Sequence, residues 1–164
     1  MKSSVASLGP SAQKIVDQIR KVRKAAEKAS GSNRRFAAYR YLRAVLRAYR
    51  YFEERDLIPN LIQIAPSVLM TPVRANWHPL RVIIEAANAE PDLRVRSRWT
   101  RALEYAVAED IDPKELPRFI RANNGVAGCA DLASKTKLKH RPGPTPGRAF
   151  SYRRPTSTPL RSLR

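Results

Sequence analysis

The sequence is poor in acidic residues, cysteine and histidine, and each shortage excludes a class of protein. Its 164 residues contain 14 Asp and Glu against 32 Lys and Arg, a formal net charge of +18. So few carboxylates do not favour an acid-rich metal site. The single cysteine, Cys129, excludes an intramolecular disulfide. His78 and His140 lie far from Cys129 and from each other along the chain, so the close set of ligands that zinc needs is lacking.

Long apolar runs and phosphate-binding glycine motifs are lacking as well. The first residues have no apolar stretch of the kind found in signal peptides, and no segment approaches the ~18 apolar residues of a membrane span. Neither GxGxxG nor GxxxxGK[ST] occurs. We therefore expect a cytoplasmic protein that uses no cofactor or metal, is not an enzyme and does not bind membranes. In a bacterium it would be associated with the nucleoid.

The positive charge is concentrated at the two ends of the chain. Residues 1–35 have a net charge of +7, residues 36–132 of +2, and residues 133–164 of +9, with no acidic residue in the last segment. The nearly neutral middle holds most of the large apolar residues. This distribution is typical of a folded core with basic extensions. A chain this basic would repel itself without a polyanion nearby, so nucleic acid or an anionic membrane is the first expectation for a partner. A membrane is less favoured, because the basic helices lack a bulky apolar face that is left free of the core.

The C-terminal segment differs in composition from the rest. Its 26 residues from Lys139 contain five Pro and two Gly and have neither a helical nor a strand period. Such a segment cannot bury enough apolar surface to offset the entropy lost on ordering. We predict a disordered basic tail over residues 138–164, a flexible N-terminus over 1–10 and a helical domain over 11–137. A proline-rich ligand and a solvated terminus without function are the alternatives for the tail.

Apolar residues at helical spacing predict an all-α domain. Ile15, Ile19 and Val22 begin a narrow stripe in a helix over 11–30, which suits packing on a neighbouring helix or on a second copy of the chain. Ser11 is expected to cap this helix. Further helices are predicted at 33–55, 79–89, 92–110 and 126–137, with short helices between Pro59 and Pro79. Asp112–Pro113 predicts another helix start.

Two of these helices carry rows of arginine opposite or beside their apolar faces. Arg40, Arg43, Arg47 and Arg50 follow one another at spacings of three and four residues on the first helix, and Arg94, Arg98 and Arg101 do so on the second. Guanidinium groups in a row can follow a phosphate backbone. A solvated helix face is the alternative, although unpaired like charges at this spacing would repel one another.

These patterns predict a small DNA-binding accessory or regulatory protein of a bacterial type that acts through phosphate-backbone contacts. The candidate nucleic-acid-binding residues are basic side chains of the two helices and of the C-terminal end: Arg40, Arg43, Arg47, Arg50, Arg94, Arg98, Arg101, Lys137, Lys139, Arg141, Arg148, Arg153 and Arg154. An RNA-binding or ribosome-associated protein is the first alternative, because composition does not separate the two nucleic acids. A protein–protein adaptor is the second, with a homodimer through residues 11–30.

Overall fold

The computed structural model is all-helical, as the sequence predicts. It describes residues 9–32, 36–88 and 90–139, with side chains as far as Thr136. Within these residues there are seven helices and no strand: α1 (Pro10–Ser30), α2 (Ala37–Glu54), α3 (Ile58–Ile64), α4 (Pro79–Ala87), α5 (Leu93–Ala108), α6 (Leu116–Ala122) and α7 (Gly125–Lys139). None of them is long and apolar enough to cross a bilayer.

Helix α2 lies at the centre of the core and packs against α1, α4 and α6. Its inward face includes Tyr41, Leu42, Val45, Leu46 and Phe52, all of them buried. The predicted apolar sector of this helix is therefore confirmed at these positions. A fully buried side chain of this size contributes about 1.5–3 kcal/mol of hydrophobic stabilisation. The arginines of α2 lie on the sides of the helix that do not face the core.

The narrow apolar stripe of α1 is buried within the same chain. Ile15, Ile19, Val22 and Ala26 are at most 5 % exposed, and α1 packs against α2, α3 and α4. The predicted cap was wrong: Gly9 occupies the N-cap position, and Pro10 begins the helix, where its missing N–H costs nothing. A homodimer through residues 11–30 stays a prediction, but this stripe already has its partners inside the chain.

The C-terminal half is built from α5 and α7, which pack along one another, with α6 against both. The predicted helix start at Pro113 was wrong. The Asp112 carboxylate accepts a hydrogen bond from the Lys114 N–H at 2.6 Å and closes a turn, and α6 begins only at Leu116. Asn124 and Gly125, both with positive φ, form the sharp turn into α7. The last helix is three residues longer than predicted, since it extends over Gly125–Lys139.

The predicted extensions fall mostly outside the described residues. Residues 1–8 and 140–164 belong to that part of the chain, so the flexible N-terminus and the disordered tail stay predictions. Pro10, predicted to belong to the N-terminal extension, is the first residue of α1. The apolar core is drawn from all seven helices, from Ile15 in α1 to Cys129 in α7.

Candidate nucleic-acid interface

Helix α5 presents three of the predicted arginines to solvent. Arg94, Arg98 and Arg101 are all exposed, and together with Leu93 and Ser97 they line one shallow cleft. Neither Arg94 nor Arg98 forms an ion pair with another described residue. Arg101 donates a long hydrogen bond of 3.4 Å to Ser134 Oγ on α7. These three arginines, the α5 row, keep guanidinium donors available to an anion.

The four arginines of α2 do not form a uniform row. Arg40 and Arg47 are exposed, whereas Arg43 is half-buried and its Nε is buried without a hydrogen-bond partner among the described residues. Arg50 is held by two carboxylates, Glu53 Oε2 at 2.9 Å and Asp110 Oδ1 at 2.8 Å. Pairing of Arg50 relieves part of the repulsion that the sequence pattern implied. Only Arg40 and Arg47 remain exposed in the way the prediction assumed.

The two rows line separate clefts. Helices α2 and α5 meet where the ring of Tyr41 packs against that of Trp99, with centroids 5.3 Å apart. Arg40 lies in a cleft with residues from the end of α1, and Arg47 and Arg50 line another beside the 110–114 segment. The α5 row lines a third. The tyrosine beside that row, Tyr105, packs its ring against Phe119 of α6.

A buried ion network that the sequence patterns did not predict lies next to the α5 row. Glu85 of α4 pairs through Oε1 with Arg81 Nη2 at 2.5 Å and through Oε2 with Arg96 of α5. The side chains of Arg81 and Glu85 are 8 % exposed, and that of Arg96 is 12 % exposed. Arg81 also donates to Ser97 Oγ at 3.0 Å and lies over the ring of Trp77. We call these three charged residues the Arg–Glu–Arg network.

The Arg–Glu–Arg network has more positive charge than its carboxylate neutralises. Burial lowers the pKa of Arg81, and the nearby Arg74 lowers it further. Burial likewise lowers the pKa of Arg96, with a second contribution from Arg81. The Nε atoms of both arginines are buried and lack hydrogen-bond partners among the described residues. Such surroundings favour the approach of an anion, which would reduce the repulsion between the guanidinium groups.

One signal in the sequence could have pointed to this network. Arg81 lies between Leu80 and Val82 in a helix of mostly apolar residues, and Glu85 follows it at the i+4 spacing of a helical ion pair. A cation in such a segment is expected to have a partner. Nothing in the sequence, however, links Arg81 to Arg96, because they belong to different helices.

The cysteine and the described histidine, residue types that often act in catalysis or bind metals, have structural roles here. Cys129 is fully buried, and burial raises the pKa of its thiol to about 11, so the thiol is protonated at neutral pH. Nδ1 of His78 accepts a hydrogen bond from the Leu80 N–H and caps α4. No group of three or more potential metal ligands occurs in the described part of the chain.

Six predicted basic residues cannot be placed at an interface. Lys137 and Lys139 belong to α7, but their side chains are not described, and Arg141, Arg148, Arg153 and Arg154 lie outside the described residues.

Comparison with known proteins adds no family to these observations. No protein-family model matches the chain, and neither a curated protein nor a solved structure is significantly similar to it.

Proposed function

We propose that this protein binds duplex DNA through phosphate-backbone contacts and acts as a non-enzymatic accessory or regulatory protein. The observation that carries the proposal is the α5 row, three exposed arginines on one side of a single helix. From Arg94 to Arg101 the helix rises by about 10 Å. A DNA strand presents one phosphate per ~3.4 Å of helix axis, so a row of this length spans about three phosphate intervals, and each of its guanidinium groups can reach a phosphate.

The net charge of +18 supports the same proposal at longer range. A strongly basic protein attracts a polyanion over roughly a Debye length and raises its association rate. The α5 row then supplies defined contacts, because guanidinium groups donate hydrogen bonds to phosphate oxygens in a fixed fork. Arg40, Arg47 and the basic ends would add contacts along the duplex.

The α5 row is tested by replacing its three arginines in the full-length chain. We expect Arg94→Gln/Arg98→Gln/Arg101→Gln to weaken duplex binding and to reduce the salt slope by about 3, since each lost phosphate contact removes ~0.9. Unaltered protein that neutralises six to eight phosphates should give a slope of log K against log salt of roughly −5 to −7. Fluorescence anisotropy at several salt concentrations measures both quantities.

A control variant removes charge elsewhere. Arg118 and Arg121 are exposed on α6, and Arg118→Gln/Arg121→Gln should leave the salt slope nearly unchanged. Equal weakening per charge removed in the two variants would indicate diffuse attraction and contradict a role for the α5 row. A salt slope near zero for the unaltered protein, or stronger binding to a structured RNA than to the duplex, would contradict DNA binding itself.

A further inference from the structure

A cationic recess lies directly beside the α5 row. Its volume is about 530 Å³, and it is formed by the loop before α4 together with α4 and α5. The residues that matter for its chemistry are four arginines, two glutamates and one tryptophan: Arg74, Arg81, Arg96, Arg101, Glu85, Glu104 and Trp77. Leu93, Ser97 and Arg101 line both this recess and the cleft of the α5 row, so the two form one continuous surface.

The charge of the recess matches a dianion. Four guanidinium groups face two carboxylates among its lining residues, which leaves an excess of two positive charges. A phosphate monoester carries about −1.5 to −2 charges at neutral pH. A phosphodiester of the backbone carries one negative charge, so more of the excess positive charge of the recess would remain uncompensated.

The recess combines fixed and accessible arginines. Glu85 holds Arg81 and Arg96 in place, and Arg81 is further fixed by Ser97 and by the ring of Trp77. Arg74, whose guanidinium lies 5.8 Å from the centroid of the same ring, is exposed, as is Arg101. The buried pair supplies positive potential with little reorganisation, and the exposed pair supplies hydrogen-bond donors to an incoming oxyanion.

We propose that the recess binds the terminal phosphate of a nucleic-acid strand whose adjoining backbone lies on the α5 row. This inference rests on the proposed function. A strand end is favoured as the occupant because the recess continues the α5 row. A terminal phosphomonoester can also enter a recess, whereas an internal phosphate is held at the surface of the duplex.

The test compares one blunt duplex in two forms, with 5′-hydroxyl and with 5′-phosphate ends, together with a third form that carries 3′-phosphates. An internal fluorophore reports anisotropy with the full-length protein. We expect one phosphorylated form to bind about tenfold more tightly than the hydroxyl form, the gain of one or two charge-assisted hydrogen bonds. Arg74→Gln should abolish this preference without weakening binding of the hydroxyl form by more than about twofold. Arg118→Gln, an exposed arginine on α6, should retain the preference.

The outcomes separate this inference from the proposed function. Equal binding of all three duplex forms would overturn the terminal-phosphate site while leaving DNA binding in place. A preference that survives Arg74→Gln would also overturn it. Absence of binding to any duplex would contradict the proposed function. Titration with dAMP then examines the recess alone: binding of dAMP that depends on Arg74, without any preference among duplexes, would replace the strand end by a free mononucleotide.

Discussion

Glu85 is the residue on which the charged interior of the molecule depends. Its two carboxylate oxygens each hold one arginine, and all three side chains are at most 12 % exposed. A buried ion pair adds little stability when compared with a well-packed apolar substitute, because desolvation opposes the attraction between the charges. Removal of one partner is strongly destabilising, since it leaves a buried charge without compensation. Glu85 therefore compensates the charge of two buried guanidinium groups.

We expect Glu85→Gln to lower the free energy of unfolding by about 3–5 kcal/mol, the cost of breaking a buried ion pair. Urea unfolding followed by circular dichroism measures the change. Glu54→Gln is the matched control, because the Glu54 side chain is 70 % exposed and, among the described residues, pairs only with Arg55. The control should stay within about 0.5 kcal/mol of the unaltered protein. Similar losses in the two variants would show that burial of the network does not matter for stability.

At the scale of elements, the turn between α6 and α7 sets where the last helix runs. Asn123 is the C-cap of α6, and Asn124 and Gly125, both with left-handed φ values, change the direction of the chain within two residues. The turn is so tight that the backbone of Asn123 approaches Gly128. Since α7 packs along α5, this turn also determines how α7 supports the helix that carries the α5 row.

Gly128→Ala should therefore destabilise the protein. Its methyl group would overlap the carbonyl oxygen of Asn123, a backbone atom that cannot move without opening the turn. We expect a loss of about 1–3 kcal/mol, the usual cost of overpacking, in a chemical unfolding experiment. Gly31→Ala is the control, because the nearest atom to a Cβ at Gly31 is the carbonyl oxygen of Glu27 at 3.5 Å, an ordinary contact distance, and the φ of Gly31 is −76°. A Gly128→Ala variant as stable as the unaltered protein would contradict so close an approach of the two helices.

At the scale of the whole molecule, the uneven charge distribution predicts that the basic end contributes to affinity. Residues 133–164 carry nine of the 32 Lys and Arg and no acidic residue. We expect neutralisation of four predicted tail residues, Arg141, Arg148, Arg153 and Arg154, by glutamine to reduce the salt slope for duplex DNA by about 3 to 4. Anisotropy titrations of the full-length variant measure this slope. An unchanged slope would confine the interface to the helical part of the chain.

The fold class and most of the core could be predicted from the sequence. The periodic apolar residues of α2, from Tyr41 to Phe52, specify a helix and its buried face by local geometry alone. Helix ends were less predictable. Asp112 closes a turn rather than starting a helix, because the same carboxylate can satisfy a backbone N–H in either conformation.

What the sequence by itself determined is the repeat of side chains along each helix, the excess of arginine and its separation from the apolar faces. Only the tertiary structure decided which arginines remain exposed. Arg50 forms an ion pair with Asp110, which lies 60 residues further along the chain. Arg96 of α5 pairs with Glu85 of α4. Arg94 and Arg98, which are also on α5, stay exposed. The physical reason is that helical periodicity fixes direction about one axis, while partners across helices depend on how the axes pack.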